Sequence, residues 1–227
     1  MQPLIGNIKS PLAKKCVIFD CNGTLNNSEF LCNQSLINVF NRHFNCNLTI
    51  EECMEQYNGG NVVDVIFELM HFTGVSAPLE YVEALYRQER EIQFQQHLKP
   101  TKGIISLLTR LKEQGIEMCV IAKCDSKNML ENLTLLGLSS FFKNSLFSGD
   151  DFNSYKPEPD IIHYAALNMG YSLDECIFID DSLLGVQTGV NAQVTTVHFH
   201  SNPAFKKFDN PEVIEIEEIE HLSQLLI

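Results

Sequence analysis

The run Cys16-Val17-Ile18-Phe19-Asp20-Cys21-Asn22-Gly23-Thr24-Leu25 constrains the fold of this chain more than any other part of it. Its four leading apolar residues, with no polar alternation, read as a strand covered on both faces, the pattern of a parallel sheet. The strand ends on Asp20, and Gly23 lets the backbone beyond it turn and approach a ligand closely. A carboxylate delivered to a strand tip in this way is a candidate nucleophile. Read alone, Asp20 could equally accept hydrogen bonds from a turn.

From residue 26 to 96 the apolar spacing turns helical. Leu31, Leu36, Val39 and Phe40 follow the possible cap Ser28, while Val62, Val63, Ile66, Leu69 and Met70 follow the Gly59-Gly60 break. Tyr81, Leu85 and Tyr86 repeat the pattern after Pro78. No strand candidate interrupts this block. Beyond Pro100, helix and strand alternate. Ile104, Leu107, Leu108 and Leu111 mark an amphipathic helix ended by Gly115. There follow a buried strand over 116–122, a helix over 128–136, a short strand over 145–148 and a helix over 159–169. Strands over 176–179 and 194–200 complete the series. The order predicts an α/β protein: a Rossmann-like parallel-sheet core, residues 1–25 and 97–227, with an all-helical cap, residues 26–96, inserted after the first strand. The Glu-rich stretch 212–220 reads as a solvated edge with a short helix.

Composition narrows the function classes. Hydrophobic residues at 44% and charged residues at 20% of 227 suit a soluble globular enzyme. No apolar run approaches the roughly 18 residues of a spanning helix, and residues 1–15 lack the apolar stretch of a signal peptide. A cytoplasmic protein with no membrane contact is expected, as a monomer or weak dimer. The net charge of -13 argues against nucleic acid as a partner, since an acidic surface repels a phosphate backbone. A small phosphorylated substrate would need only a local cationic site. The eight cysteines form no Cys-x-x-Cys pair and read as reduced, packed thiols.

Side chains at the carboxyl ends of parallel strands converge on one crevice, so residues far apart in sequence can share a site. Three such places are polar here: Asp20, the pair Asp180-Asp181 after Cys176-Ile177-Phe178-Ile179, and Lys156 ahead of a helix start. Two acidic tips and one basic one suit a phosphate with Mg²⁺, because hard oxygens hold that cation and an ammonium offsets phosphoryl charge. Each has a plainer reading. Asp181 and Ser182 could cap a helix, and Lys156 could be a solvated loop lysine.

The first motif resembles that of the haloacid dehalogenase superfamily, whose phosphatases carry Asp-x-Asp-Gly-Thr with the first Asp attacking phosphorus. Together with Lys156-Pro157 and Asp180-Asp181-Ser182 the resemblance spans essentially the whole chain. It is strongest to the branch with a helical cap after the first strand, which includes beta-phosphoglucomutase and phosphoglycolate phosphatase. Ser28-Glu29, Leu146-Phe147-Ser148-Gly149 and the tail His221-Leu222-Ser223-Gln224-Leu225 make it most similar to the bacterial 6-phosphogluconate phosphatases. The resemblance implies that Asp20 forms an aspartyl-phosphate and that Mg²⁺ is held by Asp20, the carbonyl of Asn22 and Asp181, with Asp180 beside the metal. It further implies that Lys156 holds nucleophile and phosphate, and that the Gly23-Thr24 turn cradles phosphate oxygens.

Two positions depart from the family pattern. Asn22 stands where the second Asp protonates the leaving oxygen and later deprotonates water, and an amide cannot do either. General acid-base catalysis is worth about 10²–10⁴ in rate, so a loss of that order is expected, with metal binding retained. The second motif normally ends on Ser or Thr, which hydrogen-bonds the phosphoryl group. Counting from Gly115 puts Ala122 there, with Lys123 or Cys124 as matches if the loop is shifted. Lys123 could add a cationic contact or lie in solvent. The expectation is therefore a Mg²⁺-dependent phosphatase of a small sugar phosphate or sugar-acid phosphate, slowed by Asn22. A catalytically silent relative that binds a phosphorylated ligand or a protein is its rival. Dehalogenase chemistry fits less well, because the Gly23-Thr24 turn and the acidic pair favour phosphorus over carbon.

A helical lid would exclude water and suit small substrates. Tyr57-Asn58-Gly59-Gly60-Asn61 is a candidate specificity loop or a plain interhelical turn. Arg87 and Arg90 could reach a sugar-acid carboxylate or form a solvated face. His198 and His200 alternate with Phe199 and so share one strand face, a spacing that a metal pair could use and that reads by default as exposed edge histidines.

Overall fold

The computed structural model describes residues 12–56, 61–142, 145–200 and 208–226. Along the chain run β1 (Cys16–Asp20), α1 (Ser28–Phe44), α2 (Ile50–Gln56), α3 (Val62–Thr73), α4 (Leu79–His97), α5 (Ile104–Glu113), β2 (Glu117–Ala122), α6 (Ser126–Leu135), α7 (Ser139–Phe142) and β3 (Leu146–Ser148). They are followed by α8 (Gly149–Phe152), α9 (Asp160–Met169), β4 (Cys176–Asp180), α10 (Leu183–Asn191), β5 (Thr195–Phe199), β6 (Ile214–Ile216) and α11 (His221–Leu226). Among the described residues the strands form one sheet in the order β3-β2-β1-β4-β5-β6, and every neighbouring pair is parallel. This is the Rossmann-like α/β architecture that the alternation after Pro100 predicts, with α1 to α4 inserted in the chain after β1.

Strand β1 lies inside the sheet because all five of its residues can be buried. From β1 the chain builds outward through β2 and β3, then returns to lay β4 on the other flank of β1. That reversal of strand order opens a crevice beyond the carboxyl ends of β1 and β4. Cys16, Ile18, Cys119, Ile121 and Phe178 on the sheet pack against Ile161, Ile162 and Ala165 of α9. Burying each large apolar side chain among them is worth about 1.5–3 kcal/mol, and this layer holds the strand tips in place.

The chain divides into two compact units, Met1–Asn26 with Pro100–Ile227, and Asn27–Lys99. In the helical unit the apolar stripe of α1, at Leu36, Val39 and Phe40, buries against Ile66 and Leu69 of α3 and Val82 and Tyr86 of α4. The cap position falls one residue before the expected Ser28. Ser28 is the first helical residue, and Asn27 precedes it. The Asn27 side chain is spent on the returning chain, donating to the His97 carbonyl at 3.1 Å and accepting from Lys99 N at 2.8 Å.

The stretch read as a solvated edge contains strand β6, which pairs with β5 and so takes over the edge of the sheet. His198 and His200 are therefore buried rather than exposed. Their alternation placed them on one face correctly, but a lone strand pattern does not reveal what pairs beside it. Of the candidate specificity loop, residues 57–60 lie outside the described residues.

Candidate active site

The carboxyl ends of β1 and β4 carry Asp20 and Asp180, both buried. Lys156, from the loop before α9, places its ammonium between them, with Nζ 2.7 Å from Asp20 Oδ1 and 2.5 Å from Asp180 Oδ2. Its side chain is only 22% exposed, so the solvated-loop reading of this lysine does not hold. Asn191 of α10 donates to the Pro157 carbonyl at 2.8 Å and ties the lysine loop to the helix that follows β4.

The second oxygen of Asp180 is also engaged. Asp180 Oδ1 accepts from both Ser182 N and Ser182 Oγ at 2.8 Å, while Ser182 Oγ accepts from Gly185 N and caps α10. Gly185 makes room for this arrangement: a Cβ there would lie 1.9 Å from Asp180 Oδ2. On the β1 side, Gly23 has φ +89°, and a Cβ would lie 2.2 Å from Asp181 Oδ2. Thr24, fully buried, donates its hydroxyl to Asp181 Oδ1 at 3.3 Å. Both turns thus use glycine because a carboxylate occupies the space where a side chain would go.

Burial pushes the Asp20 carboxyl well above its ordinary range, and the charges of Asp180 and Asp181 push the same way; Lys156 opposes them. For Lys156 burial works against the charge, but Asp180 and Asp20 outweigh it and hold the ammonium above its ordinary value. Oxygens of Asp20, Asp180 and Asp181 lie within 4.8 Å of one another. Three close carboxylates, two of them shared with one ammonium, form a dry site of hard oxygen donors with an excess of negative charge. A hard divalent cation fits that donor set, and with Asp180 committed to Lys156 and Ser182, the carboxylates best able to face it are Asp20 and Asp181.

Residues 17–199 match the model of the haloacid dehalogenase-like hydrolases. The chain belongs to that family. It is 30% identical over 211 residues to a 6-phosphogluconate phosphatase of Escherichia coli K12, covering 93% of this chain and 92% of that one. Among solved structures, a conserved haloacid dehalogenase-like protein from Agrobacterium tumefaciens superposes with a TM-score of 0.80 at 19% identity, covering 93% of this chain and 97% of the other. A protein from Haemophilus somnus described as a predicted phosphoglycolate phosphatase gives a TM-score of 0.78 at 17% identity, covering 94% and 98%.

In this haloacid dehalogenase-like hydrolase the other expected site residues are distributed unevenly. Asn22 is exposed in the turn after β1 and bridges to Asn26 through backbone pairing. Ala122 ends β2 and is buried, next to the Cys21 amide that donates to the Ile121 carbonyl at 3.1 Å. Lys123 is exposed, and its carbonyl accepts from Asp150 N at 3.1 Å. Among the described residues, the contacts of the Lys123 side chain do not include the three aspartates. In the helical unit Arg87 pairs with Glu83 at 2.6 Å, and the Arg90 guanidinium stacks over Phe94 at 4.8 Å, so both serve their own helix.

Sequence reasoning missed Asn26. This buried residue donates to the Cys21 carbonyl at 3.2 Å and holds the turn carrying Asn22 and Gly23 in shape. An Asn six positions beyond the strand-tip Asp20 is a turn signal of the ordinary kind, and nothing in the sequence separated it from its neighbour Asn27. The roles of Ser182 and Gly185 as supports of Asp180 were half visible, in the capping pattern alone.

Proposed function

We propose that the chain is a Mg²⁺-dependent phosphatase of small phosphorylated metabolites, a sugar phosphate or sugar-acid phosphate, with Asp20 as nucleophile. The observation that carries this reading is the Lys156 ammonium held between Asp20 and Asp180, with Asp181 alongside, at the tips of adjacent strands. The likeness to a 6-phosphogluconate phosphatase over 93% of the chain supports the substrate class.

In the proposed reaction an Asp20 oxygen attacks phosphorus, the ester P–O bond breaks, and the leaving alkoxide takes a proton. Water then attacks the aspartyl-phosphate, gives up a proton, and releases phosphate with the Asp20 carboxylate regenerated. Lys156 orients Asp20 through Oδ1 and offsets charge on the phosphoryl oxygens. Asp20, the Asn22 carbonyl and Asp181 would hold Mg²⁺, which supplies further neutralisation of the phosphoryl group when bound. Asp180 acts as a positioning residue, since both its oxygens anchor Lys156 and Ser182. Asn22 cannot move the two protons, so they must pass to and from solvent. Turnover is slow, and it favours substrates whose leaving oxygen needs little protonation.

The test is phosphate release from a panel of phosphate esters as Mg²⁺ is titrated, for the native chain and for Asn22→Asp. The expected result is weak Mg²⁺-dependent turnover that rises by about 10²–10⁴ in the variant. Release by neither protein would overturn the phosphatase reading. Release by the variant alone would leave the native chain a phosphate-binding relative without catalysis.

A further inference from the structure

The second cluster of ligand-type side chains lies one strand beyond the site, at β5 and β6. His198 and His200 are two positions apart on β5 and project from the same face. Glu215 of β6 is the register partner of His198, and side chains at paired positions share a face. Three residues from two strands therefore meet. His198 Nδ1 lies 3.2 Å from Glu215 Oε2 and 3.4 Å from Oε1, and His200 Nε2 contacts the same Oε2. The two imidazole rings have centroids 4.2 Å apart.

Burial makes the group chemically demanding. His198 is fully buried and His200 nearly so, and the Glu215 side chain is 15% exposed. The described residues give Glu215 no ion-pair partner other than these imidazoles. Among the described residues the Nε2 atom of His198 has no hydrogen-bond partner of ordinary geometry, and the Asp181 backbone lies beside the ring. Two imidazoles and a largely buried carboxylate thus turn their donor atoms toward one point between β5 and β6. Two nitrogens and one carboxylate oxygen form the donor set that suits zinc with a fourth position left over, and differ from the all-oxygen set at Asp20 and Asp181 that suits Mg²⁺.

We propose that His198, His200 and Glu215 form a binding site for a divalent transition-metal ion of the zinc type, which clips the short edge strand β6 to β5. The donor atoms already lie within 4.8 Å of one another. Bonds of about 2.0–2.2 Å in tetrahedral geometry require separations of roughly 3.4 Å, so closure needs side-chain adjustment and no rearrangement of the sheet. The ion would act on the sheet edge and has no step in ester hydrolysis.

The protein is stripped with chelator, loaded with Zn²⁺ in a large excess of Mg²⁺, desalted, and assayed for bound metal and melting temperature. One zinc per chain and a higher melting temperature are expected. His200→Gln and Glu215→Gln should each lower zinc affinity by about 10-fold or more. No zinc retained by the native chain, or equal retention by both variants, would overturn the proposal. Should a variant fail to fold, zinc-edge X-ray absorption of the native protein decides. Two imidazoles in the inner shell support the site, and an all-oxygen shell would place the zinc among the aspartates and overturn it.

Discussion

Lys156 Nζ stands 2.7 Å from Asp20 Oδ1 although 136 positions separate the two residues in the chain. Strand β1 supplies the carboxylate and the loop before α9 supplies the ammonium, and the same ammonium reaches Asp180 on β4. Replacing Lys156 by Met leaves these two carboxylates buried without their shared cation. The expected cost is about 3 kcal/mol of stability, with turnover reduced about 100-fold or more. Urea unfolding with and without Mg²⁺ checks the cause, since added Mg²⁺ should restore part of the lost stability by replacing the missing charge.

Gly185→Ala probes the support of Asp180 from the opposite side. The new methyl would lie 1.9 Å from an oxygen already fixed by Lys156, so the carboxylate must rotate away. The fold should lose about 1–3 kcal/mol and turnover should fall at least 10-fold. Leu183→Ala, on an exposed position of the same helix, should leave both nearly unchanged. Equal effects of the two substitutions on turnover would refute the supporting role of Gly185.

A pH dependence is expected far from the site, at the entrance to β4. Glu175 accepts from Lys15 Nζ at 2.7 Å and from Ser172 N and Oγ at 3.1 Å, and these bonds lower its carboxyl from 4.5 to about 2. A carboxyl depressed in the folded state contributes stability above its unfolded value, and that contribution is lost as pH falls from about 4.5 toward 2. The group is solvent-exposed, so the effect is small. Denaturation midpoints of the native chain and Glu175→Gln should differ above pH 4.5 and converge as pH falls toward about 2.

Thiol reactivity tests the packing around the β2 loop. Burial pushes the Cys124 thiol from 9.0 up to about 11, helped by the Asp125 charge. Because the thiolate is the nucleophile, alkylation at neutral pH should run about 100-fold slower than for an ordinary cysteine. Mass-spectrometric mapping after brief iodoacetamide treatment should find Cys124 unmodified in the native protein and modified after unfolding. Rapid native labelling would show that the loop opens.

The local sequence determined the strand ending on Asp20, the glycine that follows it, the capping serine at 182 and the alternation after Pro100 that builds a parallel sheet. These were legible because apolar runs, turn residues and caps act over a few positions. The convergence of Asp20, Asp180 and Lys156 was legible only through the rule that parallel strands gather their carboxyl ends on one side. Tertiary structure alone decided that Asp180 would be held by Lys156 and Ser182 while Thr24 bonds Asp181, that Gly185 must lack a side chain, and that β6 would bury His198 and His200. The physical reason is that each of these depends on which strand lies beside which and on how much room two packed elements leave. Those distances are set by the whole sheet and are written in no single stretch of residues.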